Sequence, residues 1–164
     1  MPGSPALLPL LIVRCADWAA PVRERARAML SEVTLSALVP HAELIMLLVR
    51  REQGRFAVDL LGRRLREGPA AQLEALLASE DRATRRFAHR IALDRGLLTP
   101  GRLARLAAGS GDAPLRDLCA ETAIASMRDE DHGLSERDTP DRPRAVRVAA
   151  QRLLRAAGYI RPSA

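Results

Sequence analysis

The sequence contains no lysine and no asparagine, so all 26 of its basic residues are arginine. Lysine and asparagine codons are A/T-rich. The bias therefore matches a G+C-rich genome and weakens a net charge of +6 as a sign of nucleic-acid binding. Aromatic residues make up 2% of the chain. That scarcity removes the stacking platforms single-stranded nucleic acid uses and leaves a core of Leu, Ala, Val and Ile. Cys15 and Cys119 are the only cysteines and form no CxxC or Cys/His cluster. They read as two buried thiols in a reducing cytoplasm. No long apolar run is present. Ala6 to Val13 is ended by Arg14, and no basic segment precedes it, so neither a signal peptide nor a membrane span is expected. No stretch alternates with period two, so no strands are expected.

What the sequence does contain is helical spacing. Helices are expected over 5–16, from Asp17 onward, 35–50 with a kink near Pro40, 55–66, 70–78, 82–95, 101–108, 112–127 and 144–157. Asp17 is the expected N-cap of the second helix, with Pro21 in its first turn, where no N–H is needed. Val22, Ala26, Met29 and Leu30 then form one apolar stripe. Gly96 is an expected C-cap, and Thr99-Pro100 an expected N-cap and first-turn pair. Residues 128–143 are polar, with Gly133, Pro140 and Pro143, and read as a loop. The 164 residues suit one domain.

These helices repeat. Arg85, Arg116 and Arg147 are 31 residues apart, and Arg23 stands 62 residues before Arg85. The missing copy falls near Arg55, one residue out of phase. Three residues after each arginine come Ala26, Val58, Ala88, Cys119 and Ala150; six before come Asp17, Val49, Ser79, Ser110 and Asp141. Matched apolar, small and turn positions at a fixed period mark a repeat array.

The segments Asp17…Pro21-Val22-Arg23…Ala26, Asp112-Ala113-Pro114-Leu115-Arg116 and Pro143…Val146-Arg147…Ala150 resemble HEAT-like repeats. The short period resembles the bacterial type named after phycobilin lyases. The tetratricopeptide and ankyrin patterns are absent. The resemblance implies an all-α, right-handed α-solenoid of about five helix pairs over residues 1–164, used as a scaffold. It also implies that Asp17 caps its helix and that such acids pair with the repeated arginines in a ladder between neighbours. Asp17 and Asp141 keep the acid; Ser79 and Ser110 do not.

No catalytic constellation emerges. His41, His89 and His132 are scattered. Asp129-Glu130-Asp131-His132-Gly133 has its glycine one position early for an EF-hand, and Pro140 stands where the bidentate acid belongs. Gly109-Ser110-Gly111 lacks the lysine of a phosphate loop. HEAT-like relatives include alkylpurine DNA glycosylases and the bilin lyases, but no residues here match their sites. The expectation is a cytoplasmic, non-enzymatic module without cofactor or metal, binding a protein through its concave face or an array end. Nucleic acid is the alternative partner. The expected partner-binding residues are Trp18, Arg25 and Arg27, which the repeat does not demand, with His89 and Arg90 on a charged concave column. Leu7, Leu8, Leu10, Leu11, Ile12 and Val13 are too many for one helix face, so some are expected to be exposed or covered, by Met1 to Pro5 or a bend at Pro9, by a second copy, or by the rest of a longer solenoid.

Overall fold

A computed structural model describes residues 7–133 and 141–160, with side chains over 7–126 and 148–160. The described residues form helices and turns, with no strand among them. The helices are α1 Leu8–Arg14, α2 Ala20–Ser31, α3 Leu35–Leu38, α4 Ala42–Leu48, α5 Arg55–Glu67, α6 Ala70–Leu77, α7 Arg82–Asp94, α8 Pro100–Gly109, α9 Ala113–Gly133 and α10 Asp141–Ala156. No single helix among the described residues is long and apolar enough to cross a membrane.

The chain divides into two compact units, Met1–Arg95 and Gly96–Ala164. The boundary is the glycine that ends α7, with φ +64°, a conformation that costs glycine little. In the first unit consecutive helices pair, α1 with α2, α4 with α5 and α6 with α7. Alternate helices also touch, α1 with α4, α2 with α5 and α5 with α7. The unit is thus two layers, with α2, α5 and α7 side by side in one of them. In the second unit α8 packs on both α9 and α10.

Local chemistry sets most helix ends. Pro40 falls in a 3-10 turn, Val39–His41, that separates α3 from α4, because proline cannot supply the N–H an uninterrupted helix needs. A Cβ at Gly54 would run into the Leu48 carbonyl, so only glycine lets α4 turn so tightly into α5. Thr99 Oγ1 accepts from the Arg102 amide at 3.3 Å, capping α8. The helix α9 runs on through 128–133, which the sequence reading assigned to a loop. That segment has no proline or glycine before Gly133, and charged residues do not break helices. A helical backbone there also removes the ligating loop considered for Asp129 to Gly133. Residues 134–140 of the expected loop lie outside the described residues.

The repeat register is visible as geometry. Arg23, Arg85 and Arg116 are each the fourth residue of their helix. The main-chain N–H of each donates to the carbonyl four residues back, in Ala19, Asp81 and Asp112. Six residues before each arginine, Asp17, Ser79 and Ser110 accept from the amide two residues on, at 3.0–3.2 Å. A serine hydroxyl makes this turn as well as a carboxylate does, which explains how the acid is replaced in the middle of the chain. In α5 the fourth residue is Val58, three positions later than the alignment on Arg55. With that correction the positions three and seven after the fourth residue are all buried: Ala26 and Leu30, Leu61 and Leu65, Ala88 and Ala92, Cys119 and Ala123. Ala150 and Leu154 in α10 are buried in the register of Arg147.

The expected pairing of Asp17 with Arg23 is corrected. Arg23 Nη1 donates to the Asp17 and Trp18 carbonyls at 2.9 and 3.2 Å. Arg85 Nη1 donates to the Ser79 and Glu80 carbonyls at 2.8 and 3.2 Å. Each arginine therefore clamps the turn before its own helix. The Asp17 carboxylate pairs instead with Arg14 at 2.7 Å. Nor does Asp17 cap α2: the N-cap is Ala19, which offers no side-chain acceptor. Asp17 lies two positions before the cap, so it can close only the preceding turn.

Candidate interaction edge on α2

The α2 segment presents an apolar edge to solvent. Ala26 and Leu30 are buried, as the stripe predicted, but Val22 is 43% and Met29 37% exposed. Trp18, the single tryptophan, is 92% exposed. Arg25 is exposed as well. Val22, Arg25 and Met29 are spaced three and four residues apart, which brings them onto one side of α2, and Trp18 lies in the turn just before that helix.

The reason this edge is open lies in the layer. The corresponding positions of α7, Thr84 and Ile91, are 0% and 1% exposed. In α5 they are Ala57, which is buried, and Arg64, whose Nη2 donates to the Ser31 carbonyl at the end of α2. This edge thus faces the preceding helix of the layer. α5 has α2 there, and α7 has α5. No helix described here precedes α2 in the layer, so Val22 and Met29 lack a neighbour. Among the described residues nothing stacks on this apolar edge.

The turn that carries Trp18 is held firmly while its indole is not. Its carbonyl accepts from Arg23, and the Asp17 carboxylate beside it is tied to Arg14 and to the Ala19 amide. The Arg14 guanidinium, then the Ala19 amide, hold the Asp17 carboxyl below its ordinary value. A fixed backbone under an exposed indole suits contact at low entropic cost.

The other expected binding residues divide. Arg27 is spent on packing. Its Nε donates to the Cys15 carbonyl at 3.1 Å and its Nη2 to the Gln53 carbonyl at 3.0 Å. Its guanidinium lies 5.1 Å from the Phe56 ring centroid, so it joins the end of α1 to the start of α5. His89 is corrected outright: it is 2% exposed, not on a charged surface. Its Nδ1 lies 2.8 Å from the Arg85 carbonyl, and since that oxygen can only accept, Nδ1 carries the proton. Arg90 is exposed on α7. Leu7 and Leu10 of α1 are exposed while Leu8 and Ile12 are buried, the division expected of too apolar a helix.

Sequence reasoning missed Val22 and Met29 because it judged them by the average of the repeat. Their exposure comes from the lack of a preceding helix in the layer among the described residues, which spacing within a copy does not display. Elsewhere the described residues offer little chemistry. No three His, Cys, Asp or Glu side chains among them converge to hold a metal. Cys15 and Cys119 are free and buried, and burial pushes both thiols up to about 11. In the second unit the Tyr159 hydroxyl donates to Asp117 at 3.0 Å, and burial, then that carboxylate, raises its pKa. No family model matches the sequence, and neither does any curated protein or solved structure.

Proposed function

We propose that this chain is a non-catalytic helical-repeat scaffold that binds another protein, and that the α2 edge at the array end, rather than a concave face, is the binding surface. The observation that carries it is the single tryptophan, 92% exposed in the turn that leads into α2, whose Val22, Arg25 and Met29 are exposed on one side. Tryptophan and arginine dominate the energetics of protein interfaces, and a contiguous apolar edge is costly to leave in water without a use. The recurring turn at Asp17, Ser79 and Ser110 supports a HEAT-like, right-handed solenoid of helix pairs as the underlying architecture. The buried, unreactive thiols and scattered histidines suit a cytoplasmic scaffold better than an enzyme. The test is affinity capture from the source cell's lysate with the wild type and with Trp18→Ala, both after nuclease treatment. A protein retained by the first and lost by the second supports the scaffold. Equal recovery by both rejects this edge.

We keep nucleic acid as a second partner class for one reason. The corrected register of α5 aligns Arg55 with Arg82 and Arg63 with Arg90, all exposed, on two neighbouring helices. Helices about 10 Å apart, with eight residues spanning about 12 Å, make a grid of four guanidinium groups. Asp59 and the Arg66–Asp94 pair, at 3.4 Å, interrupt it, and no exposed aromatic residue lies beside it to stack a base. DNA retention that falls steeply with salt, and loses slope in Arg63→Ala and Arg90→Ala, would support this class. Retention independent of both arginines removes it.

A further inference from the structure

We infer that the occupant of the α2 edge is a second copy of the same chain, with two α2 helices paired antiparallel about a two-fold axis. The inference rests on the α2 edge being a protein-binding surface. What it adds is the identity of the partner, and charge selects it. Along the edge run Trp18, Val22, Arg25, Met29 and Glu32, and Arg25 and Glu32 are both exposed. These two are the only charged residues on that side of α2. Glu24 is turned about 100° from Arg25 around the helix and so lies off this edge, and Arg23 and Arg27 turn inward onto backbone carbonyls.

Arg25 and Glu32 are seven residues apart, about 10 Å along the helix. Met29 lies within half a residue of their midpoint. An antiparallel pair centred there sets Arg25 of each copy against Glu32 of the other, and Met29 against Met29 across the axis. Val22 and Trp18 then reach over the turn that follows the other copy's α2, where Thr34 is exposed. A parallel pair would set Arg25 against Arg25 and Glu32 against Glu32, which costs rather than gains. The edge is therefore complementary to itself only under a two-fold axis, and such an interface closes at two copies instead of growing into a filament. The first unit already packs helices against this edge twice, α2 against α5 and α5 against α7, so a helix is the shape it accepts.

Sedimentation equilibrium over a series from about 1 μM to 1 mM spans the range of weak to moderate dimers. The full chain is expected to pass from monomer to dimer and no further. Met29→Glu and Arg25→Glu are each expected to weaken the dimer at least about tenfold. Arg25→Glu combined with Glu32→Arg is expected to restore it to within about threefold, because the swapped pair is still complementary. All these positions are exposed, so the melting temperature of the dilute variants should match the wild type and exclude misfolding. A wild type that is monomeric throughout overturns the inference. So does a dimer indifferent to Met29→Glu, or a charge swap that fails to restore what Arg25→Glu removed. A strict monomer whose lysate partner is lost on Trp18→Ala overturns the second copy while leaving the scaffold function standing.

Discussion

The helices α2 and α7 are built to one plan and used differently. Both place an arginine fourth, clamp it onto the two carbonyls of the preceding turn, and bury the residues three and seven further on. They part at the edge facing the preceding helix. α7 buries Thr84 and Ile91 there, whereas α2 exposes Val22 and Met29. The fate of a side chain in a repeat thus depends on its copy's neighbours as much as on its place in the motif. The largest test of this contrast is a pair of truncations. Ile91→Ala should cost about 2–5 kcal/mol, the usual loss for a filled core position. Met29→Ala should stay within about 0.5 kcal/mol at dilutions where the chain is monomeric. Urea denaturation measures both, and equal losses would mean the α2 edge is covered after all.

Where the helices are alike, the clamp itself can be tested. Arg23→Ala removes one guanidinium from two carbonyls and should cost about 1–3 kcal/mol. A loss below about 0.5 kcal/mol, measured by urea denaturation, would show that the clamp on the exposed turn is looser than its geometry implies.

How much of this was legible in the sequence follows from the range of each interaction. The repeated arginine, the buried Ala26 and Leu30, the kink at Pro40, and the stops at Gly96 and Gly158, where φ is positive, all depend on residues within a turn or two. Spacing alone exposes such features. The second repeat was misplaced because Arg55 resembles the motif's arginine, yet the helix begins there and Val58 holds the fourth position. His89 looked exposed because histidine among arginines suggests a polar surface, but its ring is buried, on its own helix's Arg85 carbonyl. The pairing of Asp17 with Arg23 failed because an arginine can satisfy itself on backbone carbonyls, which the sequence does not display. Of the α2 site, Trp18 and Arg25 stood out as residues the repeat does not require. Val22 and Met29 did not, since their exposure comes from a missing neighbour.

The N-caps give a third and smaller contrast. Asp81 Oδ2 accepts from the Thr84 amide and hydroxyl, both at 2.7 Å, while Ala19 offers nothing. The two backbones are nearly superposable, with φ −67° and ψ 120° at Asp81 and φ −75° and ψ 113° at Ala19. Asp81→Ala should therefore cost about 1 kcal/mol, and Ala19→Asp should gain about 0.5–1 kcal/mol. The Thr84 amide, then its hydroxyl, lowers the Asp81 pKa from its ordinary 3.8. Its folded pKa lies below the unfolded one, so its stabilisation is complete above pH about 4 and is lost as pH falls through the lower folded value. Asp81→Asn should flatten the acid side of the stability curve. An unchanged curve would mean that the charge of the cap contributes nothing.

The position after each clamp gives the finest test. Four residues beyond the fourth, α7 carries His89 and α2 carries Arg27. His89 Nδ1 bonds the Arg85 carbonyl of its own helix. Arg27 reaches out to Cys15 and Gln53, tying α1 and the start of α5 to α2. Among the described residues no helix lies on its other edge, and α2 depends on that tie. Cys15, whose carbonyl receives Arg27, reports on it. Burial holds Cys15 and Cys119 alike at about 11, so at pH 8 both are mostly unreactive thiols, and a thiol reagent reads the frequency of opening. Arg27→Ala should speed labelling of Cys15 by about tenfold, the factor that 1.4 kcal/mol of local opening supplies, and leave Cys119 nearly unchanged. If both thiols quicken together, Arg27 stabilises the chain as a whole, and the end at α2 is no looser than the rest.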